Sequence, residues 1–257
     1  MVNKLFEELK QLSQVSAIAL GGSRAGTNFD EKSDYDIYLY IDSPIEINTR
    51  KTILSKYCKV MELGNSFWEY EDNCILNNDI DIDILYRNLD DFTKYLAYVV
   101  EECNSHNGYT TCMWHNLLTC KIIYDKDGKL QKIKERFNVP YPKELKQNII
   151  DRNMKLLSEA LPAYSLQIKK AIKRNDKVSI NHRISAFLES YFDIVFAVNE
   201  LTHPGEKRLI SLCKQYCKIL PNNFEENINE LFNNMFIDDY KTIETLATII
   251  KEIKEII

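Results

Sequence analysis

Residues 20–42 read LGGSRAGTNFDEKSDYDIYLYID. Three of the chain's seven glycines fall within the first seven residues of this stretch, and two aspartates separated by one tyrosine lead into an apolar run. VSAIAL (15–20) before it is a short β-type run that stops at Gly21, and DIYLYID (36–42) is a second strand closed by Ser43-Pro44. A glycine pair directly after a buried strand permits a tight turn with positive φ and lets backbone N–H groups approach a ligand with no Cβ in the way. Ser23 adds a hydroxyl and Arg24 a positive charge, a set of donors suited to phosphate. Asp34 and Asp36 flank Tyr35, so on a strand their side chains point the same way and their oxygens can share divalent cations.

Working outward, NDIDIDILYR (78–87) alternates so strictly that the spacing predicts a strand with Asp79, Asp81, Asp83 and Leu85 on one face and Ile80, Ile82, Ile84 and Tyr86 on the other. If that strand neighbours the first, Asp83 completes a three-carboxylate cluster, with Asp81 the competing candidate. Hard oxygen donors of this kind select Mg²⁺ or Mn²⁺ and not zinc. An amphipathic helix is predicted over residues 2–13, one or two strands over 57–70 around Val60 and Phe67-Trp68, helices over 89–103 and 110–120, and an extended piece at 121–129. Pro140 and Pro142 mark a shift in composition, and from Glu144 onward the patterning is almost entirely helical. The expected architecture is therefore α+β: a small mixed sheet with flanking helices in residues 1–138, then an all-helical domain in 139–257.

Composition narrows the function classes. Lys+Arg 33 against Asp+Glu 38 leaves a formal charge of -5, which disfavours a nucleic-acid partner. No run of about 18 apolar residues appears, and MVNKLFEELKQL at the start is charged throughout, so neither a membrane span nor a signal segment is predicted. Seven cysteines, odd in number and without a Cys-x-x-Cys pair, read as reduced thiols and point to the cytoplasm. Gly-x-Gly-x-x-Gly is not satisfied, and no Gly-Lys-Ser/Thr phosphate loop is present.

Leu20-Gly21-Gly22-Ser23, ten intervening residues, Asp34-Tyr35-Asp36-Ile37 and the later Ile82-Asp83-Ile84 resemble the signature of the DNA polymerase β superfamily of nucleotidyltransferases. Ser33 before the first aspartate and Arg24-Ala25-Gly26 after the serine also resemble its small bacterial members, which include aminoglycoside-modifying enzymes. The resemblance covers roughly residues 18–87. It implies that Gly22 and Ser23 contact a nucleoside triphosphate, with Arg24 and Ser33 beside them, that Asp34, Asp36 and Asp83 bind two divalent metals, and that Lys207 reaches the triphosphate from the helical half. It further implies transfer of a nucleoside monophosphate to an acceptor hydroxyl, with pyrophosphate released by in-line displacement.

The acidic balance favours a small cationic acceptor such as an antibiotic. Glu189, Asp193 and Glu200 lie on the apolar helical stretch 185–200, where a carboxylate can take a proton or bind a cation. The competing reading is an antitoxin-like or regulatory partner protein on the same fold, which would modify a protein or RNA, or only bind one.

Overall fold

The computed structural model describes residues 1–26 and 31–257. Two compact units divide the chain: Met1–Ala97 with Asn116–Val139, and Tyr98–His115 with Pro140–Ile257. The expected mixed sheet followed by a helical part is what the chain forms.

The first unit is built on a six-stranded sheet whose strands are β1 (Val15–Leu20), β2 (Tyr35–Ile41), β3 (Cys58–Asn65), β4 (Glu71–Leu76), β5 (Asp81–Arg87) and β6 (Lys121–Asp125). Their order across the sheet is β3-β4-β5-β2-β1-β6. Among the described residues only β2 and β5 run parallel; every other neighbouring pair is antiparallel. Helices α1 (Val2–Leu9), α2 (Gly22–Ala25), α3 (Ile47–Leu54), α4 (Leu89–Val100), α5 (Cys112–Thr119) and α6 (Lys129–Phe137) are interspersed.

Side-chain alternation divides the central strands into an apolar and a polar face. Ile18, Ile37, Leu39, Ile82 and Ile84 are all fully buried and form a core with Leu5 and Leu9 of α1 and Leu54 of α3. A side chain of this size contributes roughly 1.5–3 kcal/mol when fully buried. The opposite face of β2 and β5 carries Asp36, Tyr38 and Tyr40 beside Asp83, Leu85 and Arg87, because residues in register on parallel strands share a face.

Two sequence expectations are corrected. Asp79 does not join the face of Asp81 and Asp83: its φ of +66° places it in the turn before β5, where it is ion-paired with Lys59. A left-handed residue interrupts the period of two, so the alternation acquires structural meaning only from Asp81. Phe67 and Trp68 are likewise not strand residues. They lie between β3 and β4, 81% and 87% exposed, at the tip of a hairpin.

β4 was not foreseen, since EDNCIL is rich in residues depleted from strands. What admits Asp72 to the core side is an ion pair: its Oδ1 accepts from Arg50 Nη1 at 2.5 Å and from the Gly64 amide at 2.8 Å, and its Oδ2 accepts from the Tyr86 hydroxyl at 2.7 Å. Asp72 and Arg50 are both essentially inaccessible to solvent. Removing one partner strands a buried charge, so Asp72→Ala is expected to lower unfolding free energy by about 3–5 kcal/mol, whereas the paired change Arg50→Met with Asp72→Leu should cost much less. Urea unfolding of the two variants checks this, and equal losses would contradict it.

The second unit is helical. It contains α7 (Lys143–Met154), a π-helical turn at Lys155–Glu159, α8 (Tyr164–Lys173), α9 (Lys177–Val198), α10 (Leu209–Tyr216), α11 (Phe224–Asn234) and α12 (Asp239–Lys254). The 22-residue α9 is its axis, capped by Asp176, whose carboxylate accepts from the Ser179 amide at 3.0 Å. Ile180, Ile184, Phe187, Tyr191 and Ile194 are buried along it, and α7 and α8 pack against it. Among the described residues no helix is long and apolar enough to cross a membrane, and all seven cysteines are free thiols.

Candidate functional site

The glycine turn and the two aspartate-bearing strands meet at one place. The Gly21 amide donates to the Asp36 carbonyl at 2.7 Å, which ties the end of β1 to the start of β2. Gly22 follows with φ +56°, and a Cβ built there would lie 1.8 Å from Asp36 Oδ2. The Asp36 carboxylate takes up the room the missing Cβ leaves, and a residue with a side chain would have to displace it while holding a left-handed backbone. Gly21 is constrained in the same way, for its Cβ would come within 2.6 Å of the Tyr38 ring. Both glycines thus lie against side chains of the strand that carries the carboxylates, and Gly22 is favoured by its positive φ as well.

Asp36 stands in register beside Asp83, with β2 and β5 parallel. Neighbouring strands are about 4.8 Å apart, so two like charges are held on adjacent positions of one face. Both residues are partly open to solvent. Asp83 is oriented from its other side, where Asn73 of β4 donates from Nδ2 to its Oδ1 at 2.7 Å. Asn65 of β3 in turn donates to the Asn73 side-chain oxygen. A row of side-chain amides thus runs from the sheet edge to Asp83.

Glu71 occupies the same face of β4 as Asn73, and burial, followed by the charge of Asp83, pushes its carboxyl above the usual range. Neither Asn73 nor Glu71 was singled out from sequence. The signal that could have found them is the alternation of Glu71, Asn73 and Ile75, visible only once β4 is known to be a strand.

The other sequence candidates fall as follows. Asp34 immediately precedes β2 and is half-buried. Asp81 opens β5, is exposed, and is registered with Ile75. Ser23 lies within α2. Arg24 directs its guanidinium at the backbone: Nε donates to the carbonyls of Ser33 at 2.6 Å and Asp34 at 3.1 Å, Nη2 donates to the Glu31 carbonyl at 3.1 Å, and the group sits 3.9 Å over the Tyr35 ring. It clamps the approach to the aspartates while leaving its charge beside the glycine turn. Ser33 is held through its carbonyl by that clamp.

Lys207 is exposed and belongs to the second unit, in the stretch before α10. Of the three helical carboxylates, Asp193 is buried and accepts from the Thr110 amide, the Thr110 hydroxyl and Asn153 at 3.1, 2.6 and 3.2 Å. Burial pushes its carboxyl up to about 6 against the pull of those donors. Glu200 pairs with Lys146 at 3.1 Å, and Glu189 lines a cavity.

Among the described residues no group of three His, Cys, Asp or Glu side chains is gathered so as to hold a metal ion by itself. The donor set at Asp36 and Asp83 nonetheless suits a hard divalent cation, since Mg²⁺ is typically bound by one or two carboxylates and completes its shell with water and substrate phosphates. Two adjacent carboxylates are costly to hold ionised unless a cation neutralises them.

Residues 2–67 match the family model described as nucleotidyltransferase domain. Residues 109–208 match a second model, a domain of unknown function designated DUF4037. The sequence comparison with curated proteins gave no match. Among solved structures the chain is similar to a nucleotidyltransferase-like protein from Exiguobacterium sibiricum 255-15, with 8% identity, a TM-score of 0.45, and 99% of this chain and 72% of that one covered. It is also similar to an aminoglycoside 6-adenyltransferase from Bacillus subtilis, with 12% identity, a TM-score of 0.34, and 100% of this chain and 88% of that one covered.

Proposed function

We propose that this protein transfers a nucleoside monophosphate from a nucleoside triphosphate to the hydroxyl of an acceptor, a small molecule such as an antibiotic. The observation that carries the reading is the registered pair Asp36 and Asp83, with the Asp36 carboxylate seated in the space left by Gly22, inside a chain whose residues 2–67 match a nucleotidyltransferase domain. In this reading Asp36 and Asp83, with Asp34 adjoining, hold Mg²⁺ or Mn²⁺, and the turn at Gly22 and Ser23 receives the phosphates. Bound there, a divalent cation supplies charge neutralisation for the triphosphate and lowers the pKa of the attacking hydroxyl.

The chain's own residues set the geometry. Asn73 fixes the rotamer of Asp83, the Gly21 amide fixes the height of β2, and Arg24 holds the strand entrance. The acceptor oxygen bonds to the α-phosphorus as the bond to the bridging oxygen breaks; pyrophosphate leaves and the hydroxyl proton passes to solvent, to which both aspartates are partly open. Isothermal titration with a non-hydrolysable nucleoside triphosphate is expected to give binding that requires Mg²⁺ and is lost on chelation. Absence of metal-dependent binding in the unaltered protein would overturn the reading.

A further inference from the structure

The second unit carries an open cavity of about 350 Å³, within the range of small-molecule sites. Its walls come from the turn at Tyr109, from α9 and α11, and from the stretch leading into α10. Phe192 and Phe232 line its apolar side, and Phe232 keeps 51% of its surface exposed. Glu189, Glu206 and Arg208 supply its charges. Among the described residues none of these three is engaged in a salt bridge or side-chain hydrogen bond.

The wall is built and not incidental. Gly108, at φ +99°, lies so close to α9 that a Cβ there would stand 3.0 Å from the Glu189 Cβ and 3.1 Å from its carbonyl carbon. The turn is thereby pressed onto the helix at the residue that carries the carboxylate. Tyr109 follows in a left-handed conformation, its ring held edge-on against fully buried His203 at 4.9 Å. Burial, and then the charges of Glu189 and Glu206, push the Tyr109 phenol up to about 12, so both carboxylates act on the same space. Glu189 is itself pushed up, by burial first and by Glu206 second.

We propose that this cavity binds a small molecule carrying one protonated amine on an apolar, ring-sized body, with Glu189 and Glu206 taking the ammonium and Phe192 and Phe232 packing the body. Two carboxylates against one guanidinium leave a single negative charge, which one ammonium neutralises and a polycation overshoots. A polyhydroxylated body would leave the aromatic wall facing polar groups without compensation. An ammonium beside the partly buried Glu189 carboxylate gains more than it would in water. The inference concerns binding alone and stands whether or not nucleotide transfer is the reaction.

Calorimetric titration of the full chain, without nucleotide, tests it with tryptamine, its neutral isostere indole-3-ethanol, and the ring-free polycation spermidine. Tryptamine is expected to bind at least about tenfold more tightly than either. Glu189→Gln should cut tryptamine affinity by about tenfold or more and leave indole-3-ethanol unchanged, with Asp36→Asn binding tryptamine as the unaltered protein does. Should Glu189→Gln fail to fold, Glu206→Gln, at an exposed position, carries the same expectation. Equal affinity for tryptamine and indole-3-ethanol, tighter binding of spermidine, or no binding of tryptamine at millimolar concentration would overturn the proposal.

Discussion

Asp36→Asn is expected to abolish nucleotidyl transfer while leaving the fold intact. The amide is isosteric with the carboxylate, so the space beside Gly22 stays filled and the register of β2 with β5 is undisturbed. What changes is charge: one of the two adjacent carboxylates that would hold the proposed cation loses its anion. Charge stabilisation by a bound metal is worth several kcal/mol in the transition state. At about 1.4 kcal/mol per decade, a loss of roughly 4 kcal/mol is on the order of 10³-fold in rate. The measurement is kcat/KM for transfer with labelled nucleoside triphosphate over a panel of acceptors, alongside a thermal melt. Transfer at a near wild-type rate in a folded variant would show that the cation is held elsewhere.

Gly22→Ala should be nearly as damaging, although it removes no functional group. Two effects add. A residue with a Cβ at φ +56° costs about 1–3 kcal/mol of backbone strain. The new methyl would also lie 1.8 Å from Asp36 Oδ2, a separation that cannot exist, so either the turn or the carboxylate must move. Because Asp36 is anchored through its own carbonyl to the Gly21 amide, the side chain is the part able to yield. Misplacing a reacting or ligating group by about 1 Å can cost on the order of 10²-fold. The variant is expected to lose transfer by about that factor, with a fall in melting temperature from the strain, while nucleotide binding in Mg²⁺ weakens in parallel. An unchanged kcat/KM would mean that the Asp36 carboxylate does not work from the position it occupies beside the turn.

These two substitutions also mark where sequence reading succeeds and where it stops. The glycine pair and the two aspartates are legible in a one-dimensional string because each is a local signal. Gly-Gly after an apolar run announces a turn, and Asp-Tyr-Asp before Ile-Tyr-Leu-Tyr announces carboxylates at the entry to a strand, although only Asp36 of the two lies within it. The helical half is legible for the same reason, since the periodicity of α9 or α12 needs no partner to be recognised. What crowds Gly22 is not local: the carboxylate that fills its space comes from fourteen positions further along the chain.

β4 shows the limit from the other side. Glu71-Asp72-Asn73 does not look like a strand, and it becomes one because Arg50, on a helix before β3, neutralises Asp72 in the core. With β4 unseen, Asn73 could not be recognised as the residue that orients Asp83, nor Glu71 as a fourth acid on that face. Asp79 fails in the opposite direction, a member of a perfect alternation by sequence that one left-handed residue removes from it. Glu189, Asp193 and Glu200 share one helix and one chemistry, yet the packing makes one a cavity wall, one a buried hydrogen-bond acceptor and one half of an ion pair.

Taken by itself, the sequence determined the class of fold, the turn, the strand that bears Asp36, with Asp34 just before it, and the helical character of most of the chain after Pro142. Local preference and periodicity suffice for these, because backbone conformation and amphipathic spacing are properties of neighbouring residues. The tertiary structure alone decided that β5 runs parallel to β2 with Asp83 beside Asp36, that Asp36 occupies the space of an absent Cβ at Gly22, and that Glu189 and Glu206 share a cavity. Each of those depends on which distant residues the packing brings within a few ångströms, and charge and space are settled only at that range.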